Sequence, residues 1–276
     1  MFRFIFDTQT SFSQAWQKNG SALKGLFTIN DGELHSKPTK REVRSFKLDG
    51  DTYYLKRSSF EGFKKILRLK KKKPPVKTTL DKERHIIRLF EQANIPVMQV
   101  LAYGEKRFLG IPVASLLVVN DVKGQAFQNV FSSETPANRK KLAHSLGSLT
   151  AAVHNAGINS IVRIFDALCT ATPSTNYRDC LTIIDREHGD LHHQQLDQKT
   201  RATQIARVYT QSIQHCQQTT RNELLAFLSG YLKNAPTEEK RQFPQAVLDQ
   251  ILQRLNVPKR QHTLKQVQHI LSPSKI

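Results

Sequence analysis

The sequence predicts an α+β protein of two lobes: a small antiparallel β-rich lobe with one main helix, then a larger, mainly helical lobe. Three observations carry that expectation. Two strand-like segments flank an Asp-Gly turn at 49–50, a helical stripe runs from Thr79 towards Pro96, and most apolar patterning beyond residue 120 has helical spacing. The lobes divide as 1–120 and 121–276, and a chain of 276 residues can give each its own core beside a shared cleft.

The first strand-like segment, Val43–Leu48, and the second, Asp51–Lys56, are joined by Asp49-Gly50, a pair that tolerates the positive φ of a tight hairpin turn. Lys56 stands at the exit of the second strand. Gly62–Lys73 follows, strongly basic, with Phe63, Ile66, Leu67 and Leu69 interleaved, ending before Pro74-Pro75. Such a segment suits an anionic surface, and equally suits a short helix with a solvated lysine face. From Thr79, Ile86, Leu89, Phe90 and Ala93 recur at helical intervals, which sets the Glu83 carboxylate beside the buried stripe. Val97–Tyr103 and Ile111–Val119 are short, β-rich and separated by Gly104 and Gly110, as adjacent strands would be.

Asn120–Gly124 has the character of a connector. Leu142, Leu146, Leu149 and Val153 then keep one helical face, and Gly157 is placed to end it. Leu181–Asp185 is a short apolar strand closing on a carboxylate. Three further helical faces follow, marked by Ile205/Val208/Tyr209, Leu224/Phe227/Leu228 and Val247/Ile251/Leu255.

Composition narrows the partners. With 42 Lys and Arg against 23 acidic residues, the formal net charge of +19 calls for a polyanion: a phosphorylated glycolipid, an anionic membrane face, a nucleotide or nucleic acid. Few aromatics alternate with the lysine run and no nucleic-acid module signature is visible, which speaks against nucleic acid. The 3 cysteines form no CxxC pair and fit reduced thiols, hence a cytoplasmic setting. The stretch Met1–Asp7 is broken by Arg3 and falls short of a leader's apolar region, and Ile111–Val119 is too short to cross a bilayer. His188, His192 and His193 crowd one stretch without a further ligand at zinc spacing, and are expected to be solvated or to face a substrate.

Lys56 on a strand, Glu83 on the inward face of the next helix and Asp185 at a strand end fit, in order and placement, the needs of phosphoryl transfer in protein-kinase-like folds. There a strand lysine meets the phosphates of ATP, a helix carboxylate orients it, and an aspartate holds Mg²⁺. Taken singly, Lys56 could be an exposed strand-end lysine, and Glu83 a surface pairing on its helix. Asp185 is harder to explain otherwise, because a carboxylate closing an apolar strand is costly to bury.

The segments Thr52–Arg57, Lys64–Lys73, Gly104-Glu105 after Leu-Ala-Tyr, Leu149–Asn159 and Thr220–Leu232, together with Glu83, resemble the InaA-type lipopolysaccharide core heptose kinases, over roughly residues 30 to 260. The resemblance implies transfer of the ATP γ-phosphoryl group to a heptose hydroxyl of the lipopolysaccharide inner core, at the inner-membrane face of a Gram-negative cytoplasm. The acceptor would be the inner core or another anionic glycolipid, with peripheral membrane contact through Lys64, Lys65, Lys70, Lys71, Lys72 and Lys73. By position Lys56 would be the phosphate-binding lysine, Glu83 its partner and Asp185 the magnesium ligand. Where the family carries His-Arg-Asp after the Asn159 position, this chain has Ser160-Ile161-Val162, so Val162 replaces the catalytic base. The second metal position falls at Ala167, which has no coordinating atom. The resemblance therefore implies a pseudokinase or very weak sugar phosphotransferase. Alternatives are an active kinase with a relocated base, Asp166 or Asp179, and a basic adaptor on anionic membrane or nucleic acid.

Overall fold

The computed structural model describes residues 2–18, 22–37, 39–71, 77–170, 180–184, 190–191, 196–216 and 219–256. The chain forms two compact units. The first holds the described residues up to Gln92 and Val97–Val122; the second holds Ala93–Pro96 and most of the chain from Lys123 onward.

The first unit is built on a six-stranded antiparallel sheet of β1 (Phe2–Thr8), β2 (Glu33–Ser36), β3 (Arg41–Leu48), β4 (Asp51–Ser59), β5 (Val100–Phe108) and β6 (Ile111–Asn120), in the order β1-β5-β6-β4-β3-β2. The β3–β4 hairpin turns on Asp49 and Gly50, with φ of 51° and 89°, both in the left-handed region that an Asp-Gly pair accepts. The sheet is larger than its central hairpins suggested. Phe2–Thr8 adds an edge strand paired with β5, from Phe2 opposite Phe108 to Thr8 opposite Ala102. Helix α1 (Thr10–Lys18) then packs Phe12 and Trp16 onto Leu26, Phe46, Leu55 and Leu116. The short basic helix α2 (Phe63–Lys70) and the longer α3 (Thr79–Gln92) lie between β4 and β5 in the chain. α3 buries Leu80, Ile86, Ile87 and Phe90. Successive strand residues point to opposite faces, so Leu55 enters the α1 core while Lys56 is turned to the face that meets α3.

The second unit carries β7 (Gln125–Ala126), α4 (Phe127–Ser133), α5 (Pro136–Asn155), β8 (Ile158–Asn159), β9 (Ala167–Cys169), β10 (Leu181–Ile183), β11 (Asp190–Leu191), α6 (Gln198–His215), α7 (Arg221–Tyr231) and α8 (Thr237–Leu255). Thr135 caps α5 by accepting from the Asn138 amide at 3.3 Å, Pro136 opens the helix, and Gly157 turns the chain away from it at φ 71°. α7 begins with a reciprocal capping box between Thr220 and Glu223. α5 and α7 meet through glycines: a Cβ on Gly147 would lie 2.0 Å from the Phe227 carbonyl oxygen, and one on Gly230 2.0 Å from that of His144. The strand expected at Leu181–Asp185 runs from Leu181 to Ile183.

Candidate active site

Lys56 sits mid-strand on β4, opposite Val43 of β3 and Leu117 of β6, a position fixed by ladders on both sides. Its Nζ donates to Glu83 Oε1 at 2.5 Å. The lysine side chain is 12% exposed and the glutamate 0%. A carboxylate fully removed from water is tolerable only beside a cation, so each charge makes the other's burial possible. Glu83 Oε2 is also buried and has no hydrogen-bond partner among the described residues. The pair thus leaves acceptor capacity unused in a dry environment.

Glu61, in the turn between β4 and α2, holds this arrangement together. Its carboxylate accepts from Ser58 Oγ at 3.1 Å, from the Thr79 amide at 3.1 Å and Thr79 Oγ1 at 2.5 Å, and pairs with Lys65 Nζ at 3.1 Å. One side chain therefore ties the end of the strand bearing Lys56, the basic helix and the start of the helix bearing Glu83. Burial raises the Glu61 pKa, but the bonds from Thr79 and Lys65 outweigh it and leave the carboxyl below its ordinary value. Further along α3, Arg84 pairs with Asp81 at 2.8 Å and with Asp7 of β1 at 2.5 Å, and stacks 4.3 Å from the Tyr103 ring centroid. The buried Glu105 accepts from the Tyr103 hydroxyl at 2.7 Å and from Arg107 Nε at 2.5 Å.

In the second unit, His154 near the end of α5 is completely buried. Its Nδ1 lies 2.9 Å from the Tyr231 hydroxyl and its Nε2 2.7 Å from Gln204 Oε1. Because the amide oxygen can only accept, Nε2 carries the proton and Nδ1 accepts from tyrosine. Gln204 in turn donates through its amide nitrogen to Asn159 Oδ1. Burial lowers the His154 pKa to about 4, and pushes the Tyr231 hydroxyl up to about 12, so both are neutral near pH 7. The chain of bonds fixes the loop that follows Asn159.

That loop is apolar where the resemblance implied catalysis. Val162 and Ala167 are both fully buried, packed as core residues. Asp166 is 3% exposed, and Arg163 grips it with both forks, Nε to Oδ2 at 2.6 Å and Nη2 to Oδ1 at 2.7 Å. A carboxylate held so has both oxygens engaged by one guanidinium. Asp179 and Asp185 lie outside the described residues, as do His188, His192, His193, Lys72 and Lys73 and the side chain of Lys70. The expected convergence of Lys56 and Asp185 on one magnesium-bound triphosphate therefore lies outside them too. Of the remaining lysines of the basic run, Lys64 and Lys71 are exposed and Lys65 is engaged with Glu61. No group of three or more His, Cys, Asp or Glu able to hold a metal ion occurs among the described residues.

Residues 30–231 match the lipopolysaccharide kinase (Kdo/WaaP) family, well over half of the chain. The chain belongs to that family. Among solved structures it is similar to WaaP in complex with acyl carrier protein, at 19% identity and a TM-score of 0.67, covering 94% of this chain and 99% of that one. The kinase-like fold is thereby shown. The aminoglycoside-3'-phosphotransferase of type VIII is more distant, at 14% identity and a TM-score of 0.45, covering 81% of this chain and 92% of that one. No curated protein sequence matches. Family membership makes lipopolysaccharide modification the coarse function, and kinases of this kind use ATP with Mg²⁺. No helix among the described residues is long and apolar enough to cross a membrane.

Sequence reasoning missed Glu61 and the partners of His154. Glu61 did carry a signal: it is the single acid between Asp51 and Asp81, in a stretch crowded with Lys and Arg. Gln204 and Tyr231 carried none, because their meeting with His154 depends on helix packing across 50 and 77 residues.

Proposed function

We propose that the chain is a divergent, InaA-type member of the family that binds ATP through Lys56 and serves lipopolysaccharide core modification as a pseudokinase, with at most very weak sugar phosphotransferase activity. One observation carries this reading: the buried Lys56–Glu83 pair is intact while the base position holds the buried Val162. The residues present fit a nucleotide at Lys56, since an ammonium braced by a buried carboxylate is a fixed cation for phosphate oxygens. Bound Mg²⁺ would supply further charge neutralisation on the triphosphate. Asp185 would be its ligand, and Ala167 cannot be one. Loss of a positioned base costs on the order of 10²–10⁴ in rate, so little turnover survives at Val162. The net charge of +19 suits an anionic glycolipid acceptor at the cytoplasmic face of the inner membrane, reached by peripheral contact through the lysine run.

MgATP at millimolar concentration should raise the melting temperature. Asp185→Ala should abolish the rise, as should Lys56→Met combined with Glu83→Gln, which leaves no unpaired buried charge. Mass spectrometry of core oligosaccharide incubated with protein and ATP should find essentially no added phosphate. Absence of any nucleotide-induced shift in the unmodified protein would refute the ATP-binding reading, and efficient phosphate incorporation would refute the pseudokinase one.

A further inference from the structure

The basic helix α2 is not a plain solvated lysine face. It has two apolar sides, and only one is used by the fold. Ile66 and Leu69 are buried at 5% exposure each and anchor the helix to its own unit. Phe63 and Leu67 stand out of it at 61% and 59%. Among the described residues few large apolar side chains are so exposed, and these two lie four residues apart, on one row of a helix. Lys71 continues the same row and Lys64 and Arg68 form the row beside it, all exposed. Phe60, half-buried, supports Phe63 edge-on with ring centroids 5.1 Å apart. Lys65, by contrast, is turned to Glu61 and belongs to the inner architecture.

We infer that α2 is an interfacial anchor that inserts Phe63 and Leu67 into the headgroup boundary of an anionic lipid bilayer, while Lys64, Arg68 and Lys71 engage lipid phosphates. The physical case is the pairing of two costs. An aromatic and a leucine side chain held in water forgo the transfer free energy that a bilayer boundary would return. Cations ringing an apolar pair suit a surface that is at once apolar in depth and negative at its face. A nucleic acid would match the charges and leave the apolar pair without a use. A protein groove would match the apolar pair and gain little from three cations around it. The inference also explains why the helix is bolted down: Glu61 locks Lys65 on one side and Thr79 on the other, so a short helix can bear a load. It rests on the proposed function for its setting, an acceptor embedded in a membrane, but its physics needs neither nucleotide nor acceptor.

The test is co-sedimentation of the full chain with vesicles of phosphatidylcholine containing one third phosphatidylglycerol, against phosphatidylcholine alone, with no nucleotide or glycolipid present. Binding is expected on the anionic vesicles only. Phe63→Ser with Leu67→Ser should lower partitioning about tenfold or more, and Lys64→Glu with Arg68→Glu should lower it comparably. Both pairs change exposed side chains, so an unchanged melting temperature confirms that the variants fold. A tryptophan placed by Leu67→Trp should shift its emission to the blue on the anionic vesicles, against the buried Trp16 as background. Equal partitioning of the serine variant and the unmodified protein, no blue shift, or equal binding to neutral vesicles would each overturn the anchor. So would a double-stranded oligonucleotide that competes for the same residues and loses affinity in the serine variant. None of these outcomes touches the nucleotide reading, which fails only if the MgATP shift is absent.

Discussion

The two units differ at the positions that the resemblance singles out. In the first, the carboxylate of Glu83 is fully buried and answered by Lys56, an arrangement that costs desolvation twice over and makes structural sense only as a matched pair. In the second, the loop after Asn159 buries the apolar Val162 and Ala167 and closes Arg163 on the buried Asp166. Beside that loop, His154 with Tyr231 and Gln204 is neutral and serves to hold it, while the buried charges of Glu223 and Arg201 are answered by Arg139 and Glu239. On the function proposed above, the contrast teaches that the nucleotide half of the machinery would persist where the acceptor half has become core.

The largest effect should come from breaking the first unit's pair on one side only. Lys56→Ala leaves Glu83 buried without its cation, and the loss of stability should be about 3–5 kcal/mol, read from denaturant unfolding. Lys56→Met with Glu83→Gln should cost far less, so the two positions should be strongly non-additive in a double-mutant cycle. Additive losses would mean that the pair is incidental, and the comparison between the units would collapse.

The second unit should respond to acid through His154. His154 has its folded-state pKa lowered to about 4 from 6.5, so between those values the unfolded chain binds a proton that the folded one refuses. Stability is therefore highest above pH 6.5 and falls as the pH drops towards 4, by roughly 3 kcal/mol over the window. His154→Gln, which can still meet Tyr231 and Gln204, should flatten that slope whatever it does to stability at pH 7. A slope that survives the substitution would assign the acid sensitivity to another group.

Much of this was legible in the sequence because it is local. The Asp49-Gly50 turn, the stripe of α3 and the helix end at Gly157 depend on neighbours within a few residues, and the structure has each of them. Lys56 facing Glu83 was legible too, since strand alternation and helix period each fix a direction. Strand β1 escaped notice although Phe2, Phe4 and Phe6 alternate with Arg3, Ile5 and Asp7, because its partner lies about a hundred residues away and pairing across that distance leaves no local trace. The pairing of Arg163 with Asp166 is local, three residues apart, and the i,i+3 spacing of opposite charges was a signal that went unread. Glu105 stood out only as part of a resembling segment, although its contacts with Tyr103 and Arg107 follow from strand alternation, which sets all three on one face of β5.

The smallest predicted effect is the sharpest test of how the first unit is braced. Glu61→Gln keeps an acceptor for Thr79 and Ser58 but removes the charge that draws Lys65 in, so it should cost only about 1 kcal/mol. Its pH signature should nevertheless be distinct. The Glu61 pKa is lowered, so its contribution is present above the ordinary glutamate value of 4.5 and is lost as the pH falls through the lower folded-state value. That places the acid weakness of the Glu61 brace towards lower pH than that of His154, whereas His85 of α3, held below its ordinary value by burial, adds an acid sensitivity to the first unit below pH 6.5. If Glu61→Gln removes stability dependence only below pH 4.5, while His154→Gln removes it only above pH 4, the two substitutions will have separated the brace from the His154 network by titration. If Glu61→Gln instead alters the slope between 4.5 and 6.5, charge in the first unit is coupled to groups beyond Ser58, Lys65 and Thr79, and the brace is wider than these contacts.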